Sequence, residues 1–87
     1  MENVVVVNTA FVNVTYNGYN GNLEGAVNYD ASSDDIKNWV KEALRTGTVP
    51  GIPVQAEVDL TDFTIDKFAA DGKLPARIFC RPKATFG

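Results

Sequence analysis

Histidine is missing from this chain, and cysteine, tryptophan and methionine each occur once. Without histidine neither a Ser–His nor a Cys–His nucleophile can form, and the commonest general acid–base group is gone. One cysteine and no histidine cannot assemble the usual zinc sites, and Cys80 has no partner for an intrachain disulfide. The acidic residues do not follow EF-hand spacing, and there is neither a phosphate-cradling glycine loop nor a dinucleotide fingerprint. Asp59, Asp62 and Asp66 either converge on a cation at one rim or stand as solvated positions of a one-sided strand. No catalytic residue, metal or cofactor is expected, and the chain is not expected to be an enzyme.

Long hydrophobic runs are missing too. The valines at 4, 5, 6 and 7 are far too few for a membrane span, and Met1-Glu2-Asn3 ahead of them lacks the basic stretch of a signal peptide. No membrane association and a cytoplasmic location are the expectations. A net charge of −3, from eight basic and eleven acidic groups, supplies no overall attraction to polyanions.

What is present describes one folded unit. A chain of 87 residues can close a single hydrophobic core. Its 45% hydrophobic and 22% charged residues place it away from disordered compositions. Residues 1–87 are expected to form one domain, with residues 83–87 as a frayed tail.

Ile36, Trp39, Val40, Ala43 and Leu44 recur at the spacing of one apolar helix face, which predicts a helix over residues 33–46 with Trp39 as its main core contributor. Ser32 is a capping residue with Asp35 three positions on, Asp34 and Asp35 suit the positive end of the helix dipole, and Arg45 with Gly47 closes the other end. Lys37, Lys41 and Arg45 form a stripe beside Asp34, Asn38 and Glu42, the composition of a solvated face.

Upstream, residues 4–16 are rich in β-branched and aromatic side chains and predict a strand, with Asn8-Thr9 as a bulge or a split. Residues 17–22 hold two Asn-Gly pairs, a hairpin reversal, and residues 23–29 predict its second strand. Downstream, Pro50, Gly51 and Pro53 make a loop. Val54, Ala56, Val58 and Leu60 alternate as a one-sided strand, and the pattern resumes at Phe63 and Ile65 after a break at Thr61-Asp62. Residues 67–75 read as a polar turn and residues 76–81 as a last strand, ended by Pro82.

The predicted fold class is thus α+β: a β-hairpin, one helix, then two or three strands in a mixed sheet packed on the helix, a ββαββ order. That order, with the passage from Tyr29 through Asp30-Ala31-Ser32-Ser33-Asp34-Asp35 to Ile36, resembles the β-grasp fold of ubiquitin-like proteins. The resemblance implies architecture only. Carriers and conjugating members of that superfamily end in Gly-Gly, whereas the last residues here are Ala84-Thr85-Phe86-Gly87, so it does not imply carrier chemistry.

Strand parity isolates the candidate site. Cys80 shares its side of the last strand with Ile78 and reads as a small buried apolar residue. Arg77, Phe79 and Arg81 project from the other side, with Lys83 shortly beyond. An aromatic ring between arginines suits a protein interface and equally suits single-stranded nucleic acid, which stacks bases on rings and pairs phosphates with guanidinium groups. A third reading puts Phe79 in a minor cluster with Phe11 or Phe63, its arginines paired to Glu57 or Asp59. The function expected first is a protein-interaction module, for instance an accessory or phage-encoded protein that occupies a partner's surface. A small single-strand nucleic-acid binder is the alternative.

Overall fold

A computed structural model describes residues 8–83. The expected strand character of residues 4–7 and the fraying of residues 84–87 lie outside the described residues. Lys83 is described, and its N–H donates to the Asp62 carbonyl at 2.9 Å.

The described residues form a small α+β domain with one helix and a five-stranded mixed sheet. β1 (Thr9–Tyr16) turns through Asn17-Gly18 into β2 (Tyr19–Asn22), and β3 (Val27–Asn28) pairs with the start of β1. After the helix α1 (Ser33–Thr46) come β4 (Phe63–Phe68) and β5 (Arg77–Pro82). The sheet runs β2-β1-β5-β4, with β1 and β5 parallel at its centre and antiparallel neighbours on both sides. Asn17 and Gly18 both take positive φ (53° and 84°), which Asn-Gly tolerates and a two-residue hairpin turn needs. The reversal is therefore tighter than residues 17–22, and the second Asn-Gly pair lies inside β2.

α1 has the predicted bounds. The Ser32 hydroxyl accepts the Asp35 N–H at 3.1 Å, and Gly47 closes the helix in the left-handed conformation (φ 72°). Ile36, Val40 and Leu44 are buried against Ala10, Val12 and Val14 of β1, Ile78 and Cys80 of β5, and Ala76 just before it. Trp39 is not part of this core: it is 43% exposed. The buried stripe follows the i, i+4, i+8 line through Ile36, Val40 and Leu44, and a residue three positions on from Ile36 falls on the flank of that stripe.

The strand expected over residues 54–60 does not form. The segment is irregular; Val58 and Leu60 are buried, while Val54 and Ala56 face solvent. The Tyr16 hydroxyl bridges this loop, donating to the Glu57 carbonyl (3.3 Å) and accepting the Asp59 N–H (3.4 Å), and Gln55 N–H caps the helix end at the Leu44 carbonyl (2.9 Å). The alternation marks a strap that plugs the core edge with two side chains and finds no ladder partner. The break at Thr61-Asp62 is a turn, closed by Phe63 N–H on the Leu60 carbonyl at 3.0 Å. Residues 23–29 contribute only the short β3, and Lys67 and Phe68, read as turn, complete β4.

Cys80 is fully buried, and that burial pushes its thiol up to about 11, with Lys37 opposing the shift. Only the thiolate attacks a disulfide reagent. The folded protein is expected to stay unmodified by an aromatic disulfide at pH 8 and to react stoichiometrically in denaturant. Rapid labelling of native protein would contradict the packing.

Candidate functional site

The sheet has one covered face and one open face. Alternation along β1, β5 and β4 sends Val12, Val14, Ile78, Cys80 and Ile65 toward α1, and sends Phe11, Asn13, Arg77, Phe79, Arg81, Asp66 and Phe68 the other way. No described segment covers that second face.

Register places its side chains in transverse rows. Phe11, Arg77 and Phe68 lie abreast on β1, β5 and β4; the next row is Asn13, Phe79 and Asp66. The Phe68 and Phe79 rings meet edge to face at 5.4 Å, the arrangement that ring quadrupoles favour. Arg77 holds its guanidinium over Phe68 (5.5 Å) and donates to the Pro75 carbonyl (3.1 Å), while Arg81 lies over Phe79 (5.7 Å). Arg81 also pairs with Asp66 through Nη2 at 3.0 Å and Nε at 3.1 Å. Phe11 stands 54% exposed and Phe68 41% exposed. An amide network borders them on the β1–β2 hairpin: Asn13 donates to Asn20 (3.1 Å) and Asn22 (2.8 Å), and Asn20 donates to Asn13 (2.8 Å) and Thr15 (2.9 Å).

Of the residues singled out from sequence, Arg77, Phe79 and Arg81 share this face, and Lys83 follows β5 as an exposed residue. The minor-cluster expectation is corrected in its partners. Phe79 packs on Phe68, whereas Phe63 lies on the covered side against Tyr16 (5.6 Å), and Arg81 pairs with Asp66 rather than Glu57 or Asp59. Phe68 escaped the sequence reading because residues 67–75 look polar, although Thr64, Asp66 and Phe68 continue a period of two.

The three aspartates do not converge. Asp66 faces Arg81; Asp59 accepts the N–H and hydroxyl of Thr61, which hold its carboxyl below the usual range with help from Lys41. Among the described residues no group of three or more potential ligands could hold a metal. A shallow groove of about 490 Å³ beside α1 is lined by Asp34, Lys37, Lys41 and Asp59 among others, a mixture of signs at a solvated rim. No described helix is long and apolar enough to cross a membrane.

No protein-family model matches the chain, and no curated protein or solved structure matches it either.

Proposed function

We propose that this chain is a non-enzymatic protein-interaction module of β-grasp-like architecture that docks a protein partner on its open sheet face. The hairpin-helix-strand order and the parallel central pair β1–β5 support the architectural part. The observation that carries the functional part is the row of Phe11, Arg77 and Phe68 beside Phe79 and Arg81, which no described segment covers. Aromatic residues and arginine are the side chains enriched at interface centres, and the bordering asparagines supply a polar rim.

A protein suits this face better than a polyanion because Asp66 already answers the charge of Arg81, and the chain as a whole is acidic. The partner that fits combines aliphatic or aromatic side chains for the rings with a carboxylate for Arg77.

The test is capture from nuclease-treated lysate, followed by titration of the captured protein against wild type and a Phe11→Ala, Arg77→Ala variant. Both replaced side chains lie on the open face, so the variant should keep its helical circular-dichroism signal and lose at least about tenfold in affinity, since central aromatic or arginine anchors are typically worth over 1 kcal/mol each. Equal affinity of both proteins defeats the reading. So does capture that disappears with nuclease, or oligonucleotide binding that weakens steeply between low and moderate salt, the signature of phosphate contacts.

A further inference from the structure

The sheet ends differently at its two sides. At β2, the 49–52 loop lies against the strand closely enough that a Cβ on Gly21 would meet the Pro50 carbonyl oxygen. At β4, no described segment pairs with the outer edge beyond Phe63.

Which groups that edge presents follows from register. Opposed residues in an antiparallel pair alternate between those that exchange backbone hydrogen bonds and those that turn them away. Lys83 donates to the Asp62 carbonyl, and Asp62 stands one step before the Phe63↔Pro82 pair. The bonded pairs are therefore Thr64 with Arg81, Asp66 with Phe79 and Phe68 with Arg77. Ile65 and Lys67 point both N–H and C=O away from β5, as does the Phe63 carbonyl. None of these groups has a backbone or side-chain partner among the described residues. Proteins usually guard such an edge with proline, a bulge or an obstructing charge. β4 has neither proline nor bulge, and its one inward charge, Lys67, is drawn back to the Ala31 carbonyl at 2.7 Å.

We propose that this edge pairs with the same edge of a second copy, antiparallel about a two-fold axis through Ile65. Outward groups sit only on odd positions, so odd must face odd, and three registers centre the contact on β4. Placing Ile65 opposite Lys67 sets Asp66 against Asp66 of the second copy. Placing Phe63 opposite Ile65 sets Asp62 against Asp66 twice. Only Ile65 opposite Ile65 avoids opposed like charges: it puts Phe63 against Lys67 and Thr64 against Asp66, a cation beside an aromatic ring and a hydroxyl beside a carboxylate. It also brings together the half-buried Phe63 and Ile65 of both copies on the helix side of the sheet. Such a contact is isologous and closes on itself. It leaves the open face of each copy available, so it stands independently of partner docking.

Single-cysteine variants, built on Cys80→Ala because residue 65 stands directly opposite Cys80 on β5 and would otherwise pair with it within one chain, read the register. Hydrogen-bonded residues directly opposed across an antiparallel pair have Cα atoms about 5.5 Å apart, inside disulfide range. Ile65→Cys should cross-link to a dimer under mild copper-phenanthroline oxidation. Phe63→Cys and Lys67→Cys should each stay largely monomeric alone and cross-link when mixed. The Cys80→Ala parent, which has no thiol, is the blank. Sedimentation of wild type should show mass rising from monomer toward dimer with concentration. Monomer at every concentration, no Ile65→Cys dimer above the blank, or equal cross-linking of all variants alone and mixed would each overturn the proposal.

Discussion

Replacing Ile78 by alanine is expected to remove about 2–5 kcal/mol of stability, the range for truncating a large aliphatic side chain in a packed core. Ile78 is fully buried and sits in the central strand, abreast of Val12 on β1 and Lys67 on β4. It therefore touches the helix layer at a place where neighbouring backbone cannot collapse without breaking two ladders. A domain of this size holds roughly 4–13 kcal/mol in all, from about 0.05–0.15 kcal/mol per residue, so the loss takes a large share of the total and should move the urea midpoint clearly downward. Urea denaturation followed by far-ultraviolet circular dichroism measures the loss. The adjacent residue supplies the contrast. Phe79→Ala removes a larger side chain from the open face, where the ring lies against Phe68 and the Arg81 guanidinium with Asn13 and Asp66 abreast of it, and should cost clearly less. Equal losses at the two positions would mean that the outer face is itself a packed core, and the docking surface would go with it.

The second large effect comes from a single methyl group. A Cβ at Gly21 would collide with the Pro50 carbonyl oxygen and stand 3.0 Å from Val49 Cγ1. The obstacle is backbone, which cannot rotate aside as a side-chain tip can. Either β2 parts from β1, or the 49–52 loop lifts and uncovers Val49 and Ile52, both of them buried. Overpacking alone typically costs about 1–3 kcal/mol. In a domain of this length each kcal/mol shifts Tm by roughly 4–8 °C. Gly21→Ala should therefore lower Tm by about 5 °C or more. Gly25→Ala, with open space around its Cβ, should stay within about 0.5 kcal/mol of wild type. An unchanged Tm for Gly21→Ala would show that the loop does not seal against β2.

Some of the candidate site was legible in the residues and some was not. Arg77, Phe79 and Arg81 declare a shared face because a period of two needs no knowledge of neighbours. The identity of that face did need them. Whether Phe79 lies over Phe68, Phe11 or Phe63 depends on which strand stands beside β5 and in what register, and no residue of β5 encodes that alone. Trp39 illustrates the same limit on the helix. An apolar stripe one turn wide has a middle and two flanks, and only the orientation of α1 on the sheet decides which large side chain is left at the rim. Residues 54–60 show it from the other direction: alternation records which side chains are buried, and a strap can bury every second residue without a strand beside it.

By itself the sequence determined what local physics controls. Those features are the helix with its Ser32 and Gly47 caps, the Asn17-Gly18 reversal whose residues tolerate positive φ, the side of the last strand that Cys80 shares with Ile78, and the lack of histidine that removes its usual chemistry. Each depends on contacts within a few residues or on composition alone. The tertiary structure decided the parallel pairing of β1 with β5, the outer face that gathers Phe11, Phe68 and Phe79 and that no described segment covers, the exposure of Trp39, and the outer edge of β4, with which no described segment pairs. These follow from which strands become neighbours, a property of the whole chain folding over one core, because side-chain period says which way a residue points and never what it will meet there.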